Sequence, residues 1–74
     1  MQEFKIKRND GDGDGDYIAI IENLTDKRLF FIFEGINGYN FDIGAYDWIG
    51  ISGDEHGWEK LRLLENKNFV MFKK

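Results

Sequence analysis

No cysteine occurs in this 74-residue chain, which removes two common staples of a small fold, the disulfide framework and the zinc–thiolate centre. The loss matters because a domain of about 60 residues buries only about 60% of its unfolded surface and often leans on a crosslink, a metal or a partner. Absence of thiols also fits a reducing cytoplasm, the expected location. No apolar run approaches the ~18 residues of a membrane span, and Met1-Gln2-Glu3-Phe4-Lys5 is not a signal peptide, so a soluble protein with no membrane partner is expected. Without a secretory route, the formal sequon Asn23-Leu24-Thr25 is expected to carry no glycan.

Catalytic groups are equally scarce. There is no cysteine nucleophile, and the single histidine, His56, lies in the loop Ser52-Gly53-Asp54-Glu55-His56-Gly57. Ser52, Asp54 and His56 are near in sequence, but a nucleophile, base and orienter need rigid geometry and a pocket. The expectation is a protein that is not an enzyme.

Positive charge is missing from the middle of the chain. No Lys or Arg occurs from Leu29 to Glu59, a stretch that holds Glu34, Asp42, Asp47, Asp54, Glu55 and Glu59 and both tryptophans. With a formal net charge of −4, a general nucleic-acid or anionic-membrane binder is not expected. The segment is either ordinary solvated surface or an acidic docking face for a basic partner.

Aromatics, by contrast, are plentiful: seven Phe, three Tyr and two Trp, each able to bury on the order of 150–250 Å². They sit mostly in strand-like patterns. Gln2–Arg8 alternates, with Phe4 and Ile6 on one face and Glu3, Lys5 and Lys7 on the other. Tyr17–Leu24 and Leu29–Glu34 are apolar on both faces, as in central strands, and the polar run Leu24–Arg28 between them has hairpin length. Asn37-Gly38 is the strongest turn signal. Tyr39–Ile43, Tyr46–Ile51 and Asn68–Lys73 complete the strand candidates, with Gly44-Ala45 a further turn. Asp54–Asn66 reads two ways. Ser52-x-x-Glu55 fits a capping box, and Trp58, Leu61 and Leu64 have helical spacing. Gly57 in the first turn, and the alternation Leu61-Arg62-Leu63, tip the reading toward a strand that pairs with Phe69–Phe72. The expected fold is mainly β: one domain over residues 1–74, an antiparallel barrel or sandwich of five to seven strands, with at most one short helix within 54–66.

The most biased stretch is Asn9-Asp10-Gly11-Asp12-Gly13-Asp14-Gly15-Asp16. An EF-hand-type loop takes oxygens from positions 1, 3, 5, 7, 9 and 12, with glycine at 6. Asp10, Asp12 and Asp14 then occupy the first three ligand positions, Gly15 the turn, and the Asp16 carbonyl position 7. The pattern breaks at Ile18 and Ile21, and Glu22 arrives one residue late. Carboxylates roughly 7 Å apart repel by about 1 kcal/mol at an effective dielectric near 40. Either a Ca²⁺ ion, the one cofactor the sequence suggests, or splaying into water relieves this. Interleaved aspartates also rule the glycines out as a phosphate cradle.

The expected function is non-catalytic: a small acidic binding protein, of the immunity or phage anti-defence inhibitor kind in size and charge. It would dock a basic partner such as a nucleic-acid enzyme through Asp42, Asp47, Trp48, Asp54, Glu55 and Trp58. The alternatives are a calcium-binding module built on Asp10–Asp16, and a subunit of a homo-oligomer, suggested by the two-faced apolar run Leu29–Phe33. A tryptophan is ordinarily a core residue, so both rings also have a purely structural reading.

Overall fold

The computed structural model describes residues 2–9, 17–33, 35 and 40–74. Among them are the strands β1 (Phe4–Arg8), β2 (Tyr17–Asn23), β3 (Leu29–Phe33), β4 (Asn40–Ile43), β5 (Trp48–Ser52) and β6 (Phe69–Lys73), with one helix, α1 (Glu55–Glu65), between β5 and β6. They form two three-stranded antiparallel sheets, ordered β1-β2-β5 and β4-β3-β6, that face each other as a sandwich. Alternation decides which face turns inward. Phe4 and Ile6 of β1 pack on the core while Lys5 and Lys7 point out, the side-chain period of two in its plainest form. Ala19, Ile21 and Ile51 line the first sheet, and Leu29, Phe31, Phe33, Phe41 and Ile43 the second. Edge-to-face phenylalanine contacts tie the layers together: Phe4 of the first sheet meets Phe31 at 5.2 Å and Phe69 at 5.8 Å between ring centroids.

The connector Leu24–Arg28 does not close a hairpin. β2 and β3 lie in different sheets, so the segment is a crossing, and its polarity answers to one side chain. Asn23, at the end of β2, is 1% exposed. Its Nδ2 donates to the carbonyls of Lys27 (2.6 Å), Ile43 (3.0 Å) and Gly44 (2.9 Å). Its Oδ1 accepts from the Thr25 N–H at 2.9 Å and faces the Thr25 hydroxyl at 2.8 Å. A short donor–acceptor fork thus ties β2 to the crossing and to the end of β4. The same contacts explain the Asn-Leu-Thr triplet as a structural motif of the crossing.

The strand preferred for 54–66 is replaced by α1. Its N-cap is Asp54, two residues later than the capping box suggested, and its Oδ1 accepts from the Gly57 N–H at 2.8 Å. Gly57, which weighed against a helix, is needed by it: a Cβ there would overlap the Ser52 carbonyl oxygen, because the first turn rides on the end of β5. Leu61 and Leu64 then enter the core at helical spacing. At the other end Lys67, at φ 62°, allows Asn68 N–H to reach the Leu63 carbonyl (2.8 Å) and Lys67 N–H that of Leu64 (3.2 Å), a Schellman closure formed without glycine.

Removing the Asn23 fork tests this account. Asn23→Ala leaves the Ile43 and Gly44 carbonyls without their donor and is expected to cost about 3 kcal/mol by denaturant unfolding. Asn23→Asp puts a carboxylate against carbonyl oxygens, so its folded pKa rises above the unfolded value. The resulting penalty is full near neutral pH and shrinks as pH falls through the folded pKa. An Asn23→Asp penalty that is flat from pH 7 to pH 4 would contradict the donor role of Nδ2.

Candidate functional site

The outer face of the first sheet is built from two rungs. Register places Lys5, Glu22 and Trp48 side by side on one, and Lys7, Ile20 and Gly50 on the next. The register slips between Tyr17 and Ala19, and such a bulge re-aims a side chain. Here it lays the Tyr17 ring over Gly50, where a Cβ would overlap it. The ring meets Trp48 edge-to-face at 6.2 Å, and the two remain 42% and 51% exposed. Lys7, Arg8, Asn9, Tyr17, Ile20 and Trp48 line a shallow hollow of about 350 Å³. Trp48 is therefore not a core residue but half of an exposed aromatic pair with a glycine floor.

The other sequence candidates do not gather around it. Asp47, in the turn before β5, accepts from the Trp48 N–H through Oδ1 at 2.8 Å and is exposed beside the ring. Asp42 lies on the outer face of the opposite sheet, 3.4 Å from the Arg28 guanidinium. Asp54 serves as the helix cap, and Glu55 opens the first turn of α1, where a carboxylate suits the helix dipole. Trp58 sits on α1, 48% exposed, with the Arg8 guanidinium 5.9 Å above its ring. Arg8 also reaches Glu65 at 3.0 Å. A single face carrying Asp42, Asp47, Trp48, Asp54, Glu55 and Trp58 does not exist. Tyr17 is the partner of Trp48 that sequence reasoning missed. Its only signals were its place at the start of β2 and the distant Gly50.

The proposed calcium ligands Asp10, Asp12, Asp14 and Asp16 lie outside the described residues. Positions 9 and 12 of that loop fall on β2, where Ile18 is half-buried and Ile21 is in the core. Among the described residues no group of three or more His, Cys, Asp or Glu is placed to hold a metal ion. A cavity of about 620 Å³ between β5 and α1 is lined in part by Ser52, Asp54, His56 and Lys60. The Asp54 carboxylate there is engaged by Gly57, and no hydrogen bond joins Ser52, Asp54 and His56 among the described residues. No helix among them is long and apolar enough to cross a membrane. Comparison of the chain with known protein families, with curated proteins and with solved structures finds no match to any of them.

Charge is distributed differently from the sequence impression. All ten basic residues and nine of the fourteen acidic residues are described, so the described body is close to neutral, at +1. The net −4 arises from Glu34 and the four aspartates of Asp10–Asp16. That run immediately precedes Tyr17 in the sequence.

Two substitutions separate these roles. Gly50→Ala is expected to displace Tyr17 from Trp48, changing near-UV circular dichroism while lowering stability by about 1 kcal/mol at most, since Tyr17 can move into water. An unchanged near-UV spectrum would show that Gly50 does not hold the pair. Asp54→Ala is expected to cost about 1 kcal/mol of stability and Asp54→Ser much less, because a hydroxyl also caps. Equal costs for the two would remove the cap assignment.

Proposed function

We propose that this chain is a non-catalytic binding module that docks a protein with a basic surface through the Trp48–Tyr17 face, as an inhibitor of a nucleic-acid enzyme does. The observation that carries the reading is the exposed aromatic pair on Gly50. Trp and Tyr at half exposure leave large apolar area in water, and such rings are the usual anchors of interface hot spots. Asp47 and Glu22 flank the indole, and the acidic run attached to Tyr17 supplies the charge that steers a cationic partner toward it. Lys5 and Lys7, on the far strand of the same face, pair with acids at the rim and set orientation. The lack of thiols supports a cytoplasmic setting.

The test has two arms. A photo-crosslinking amino acid at position 46, next to the platform, identifies the partner in the native cell, and binding kinetics then follow with purified components. Trp48→Ala is expected to raise the dissociation rate at least tenfold, equivalent to about 1.4 kcal/mol, with the fold intact because the ring is outside the core. Changing Asp10, Asp12, Asp14 and Asp16 together to Asn is expected to slow association and flatten its salt dependence, with little effect on dissociation. Trp58→Ala, at a ring held by Arg8, should change binding far less than Trp48→Ala. Binding that is indifferent to Trp48→Ala sinks the proposal.

A further inference from the structure

The second sheet carries an apolar face that the core does not use. On β3 and β6 the outward residues are Phe30, Ile32, Val70 and Phe72, and register sets Phe30 against Phe72 and Ile32 against Val70 as two adjacent cross-strand pairs. Ile32, Val70 and Phe72 are 43%, 46% and 48% exposed, and Phe30 is half-buried. β1 of the same molecule is an internal control: its outward positions hold Lys5 and Lys7, as expected of a strand with one wet face. Strands apolar on both faces are ordinarily covered on both.

We propose that this face docks on a second copy of the chain, giving a symmetric dimer in which the two β4-β3-β6 sheets pack face to face. The register makes the block self-complementary. A two-fold axis parallel to the strands and midway between β3 and β6 carries β3 of one protomer over β6 of its partner. Phe30 then covers Phe72 and Ile32 covers Val70, each twice, as an isologous interface requires. The same operation sets the β4 edge of one protomer beside the β6 edge of the other. Asp42 lies on that β4 edge, and its carboxylate, already 3.4 Å from Arg28, is half exposed. Lys74 follows β6 and lines the hollow formed by Phe30, Ile32 and Phe72, so it becomes the cation that Asp42 meets across the interface. Three strands about 4.8 Å apart and about 3.3 Å per residue give a small planar face of roughly 250 Å². Counted on both protomers that is on the order of 500 Å², well under the roughly 1,200 Å² in total at which standard-size specific interfaces begin. The dimer is accordingly weak, with a dissociation constant on the order of 10–100 μM.

Sedimentation velocity on the full chain over a concentration series from about 5 μM to about 500 μM tests this. The expected result is a monomer that converts to dimer within the series. Phe72→Lys and, independently, Ile32→Lys should each raise the dissociation constant at least tenfold, with circular dichroism unchanged because both side chains lie outside the core. Asp42→Lys should weaken the dimer several-fold by placing like charge beside Lys74 of the partner subunit. Trp48→Ala should leave self-association untouched, which separates this proposal from the reading of the first sheet. A chain that stays monomeric at about 500 μM overturns it and assigns the face to a different protein. So does a dimer that ignores both lysine substitutions, since it then uses another surface.

Discussion

The Asn23 side chain is the joint on which the rest of the arrangement depends. A sandwich of two small sheets needs a chain crossing that leaves no buried carbonyl without a donor, because each orphan costs about 1–3 kcal/mol. Asn23 meets this at one point, donating toward three carbonyls and accepting from Thr25. No other residue of its length offers both functions: Asp lacks the donor, Leu lacks both, and Gln would carry the amide beyond the carbonyls. The Asn23 backbone N–H also bonds the Asp47 carbonyl at 2.8 Å. The residue that holds the sheets together therefore also fixes the turn that delivers Trp48 to the outer face.

Division of labour among the aromatics follows from the same geometry. Phe4, Phe31, Phe33, Phe41 and Phe69 interlock between the sheets, where a ring without a polar atom needs no partner. Both tryptophans are left outside, each about half exposed. An indole N–H inside this thin core would compete for hydrogen-bond groups that the sheets already use. The placement suits a protein whose core is complete without them. Trp58 finds a guanidinium and Trp48 finds a tyrosine edge.

What the sequence made legible was whatever depends on a period of two. Six of the seven strand candidates are present, with ends displaced by one or two residues, because strand patterning is written locally; the seventh, 54–66, is the helix α1. Contacts between distant segments were not legible. Leu24–Arg28 has the length of a hairpin and also of a crossing, and only the partners of Asn23 distinguish them. Gly57 reads as a helix breaker until the Ser52 carbonyl is seen beneath it. The candidate site residues are dispersed for a related reason. Charges contiguous along a chain that crosses between sheets are distributed to different faces, so Asp42 and Asp47, five positions apart, end up on opposite sides of the sandwich. The aromatic pair was hidden because a bulge at Tyr17 and a bare floor at Gly50 become one feature only once β2 and β5 are side by side.

The two outward faces obey one rule with opposite results. On β1 the outward positions are lysines, which keep an edge strand from pairing with a neighbour. On β3 and β6 they are Phe, Ile, Val and Phe, and nothing among the described residues covers them. Since these faces belong to opposite layers, association through β3 and β6 leaves Trp48 and Tyr17 free and turned away from the two-fold axis. A weak dimer of this kind presents two identical platforms on its two ends. For a partner that is itself dimeric or repeated, the second contact becomes intramolecular, and avidity can exceed the single-site affinity by about 10²–10⁴ where the spacing allows both contacts. Self-association strength and binding strength are then linked through concentration alone, because no residue of one face belongs to the other.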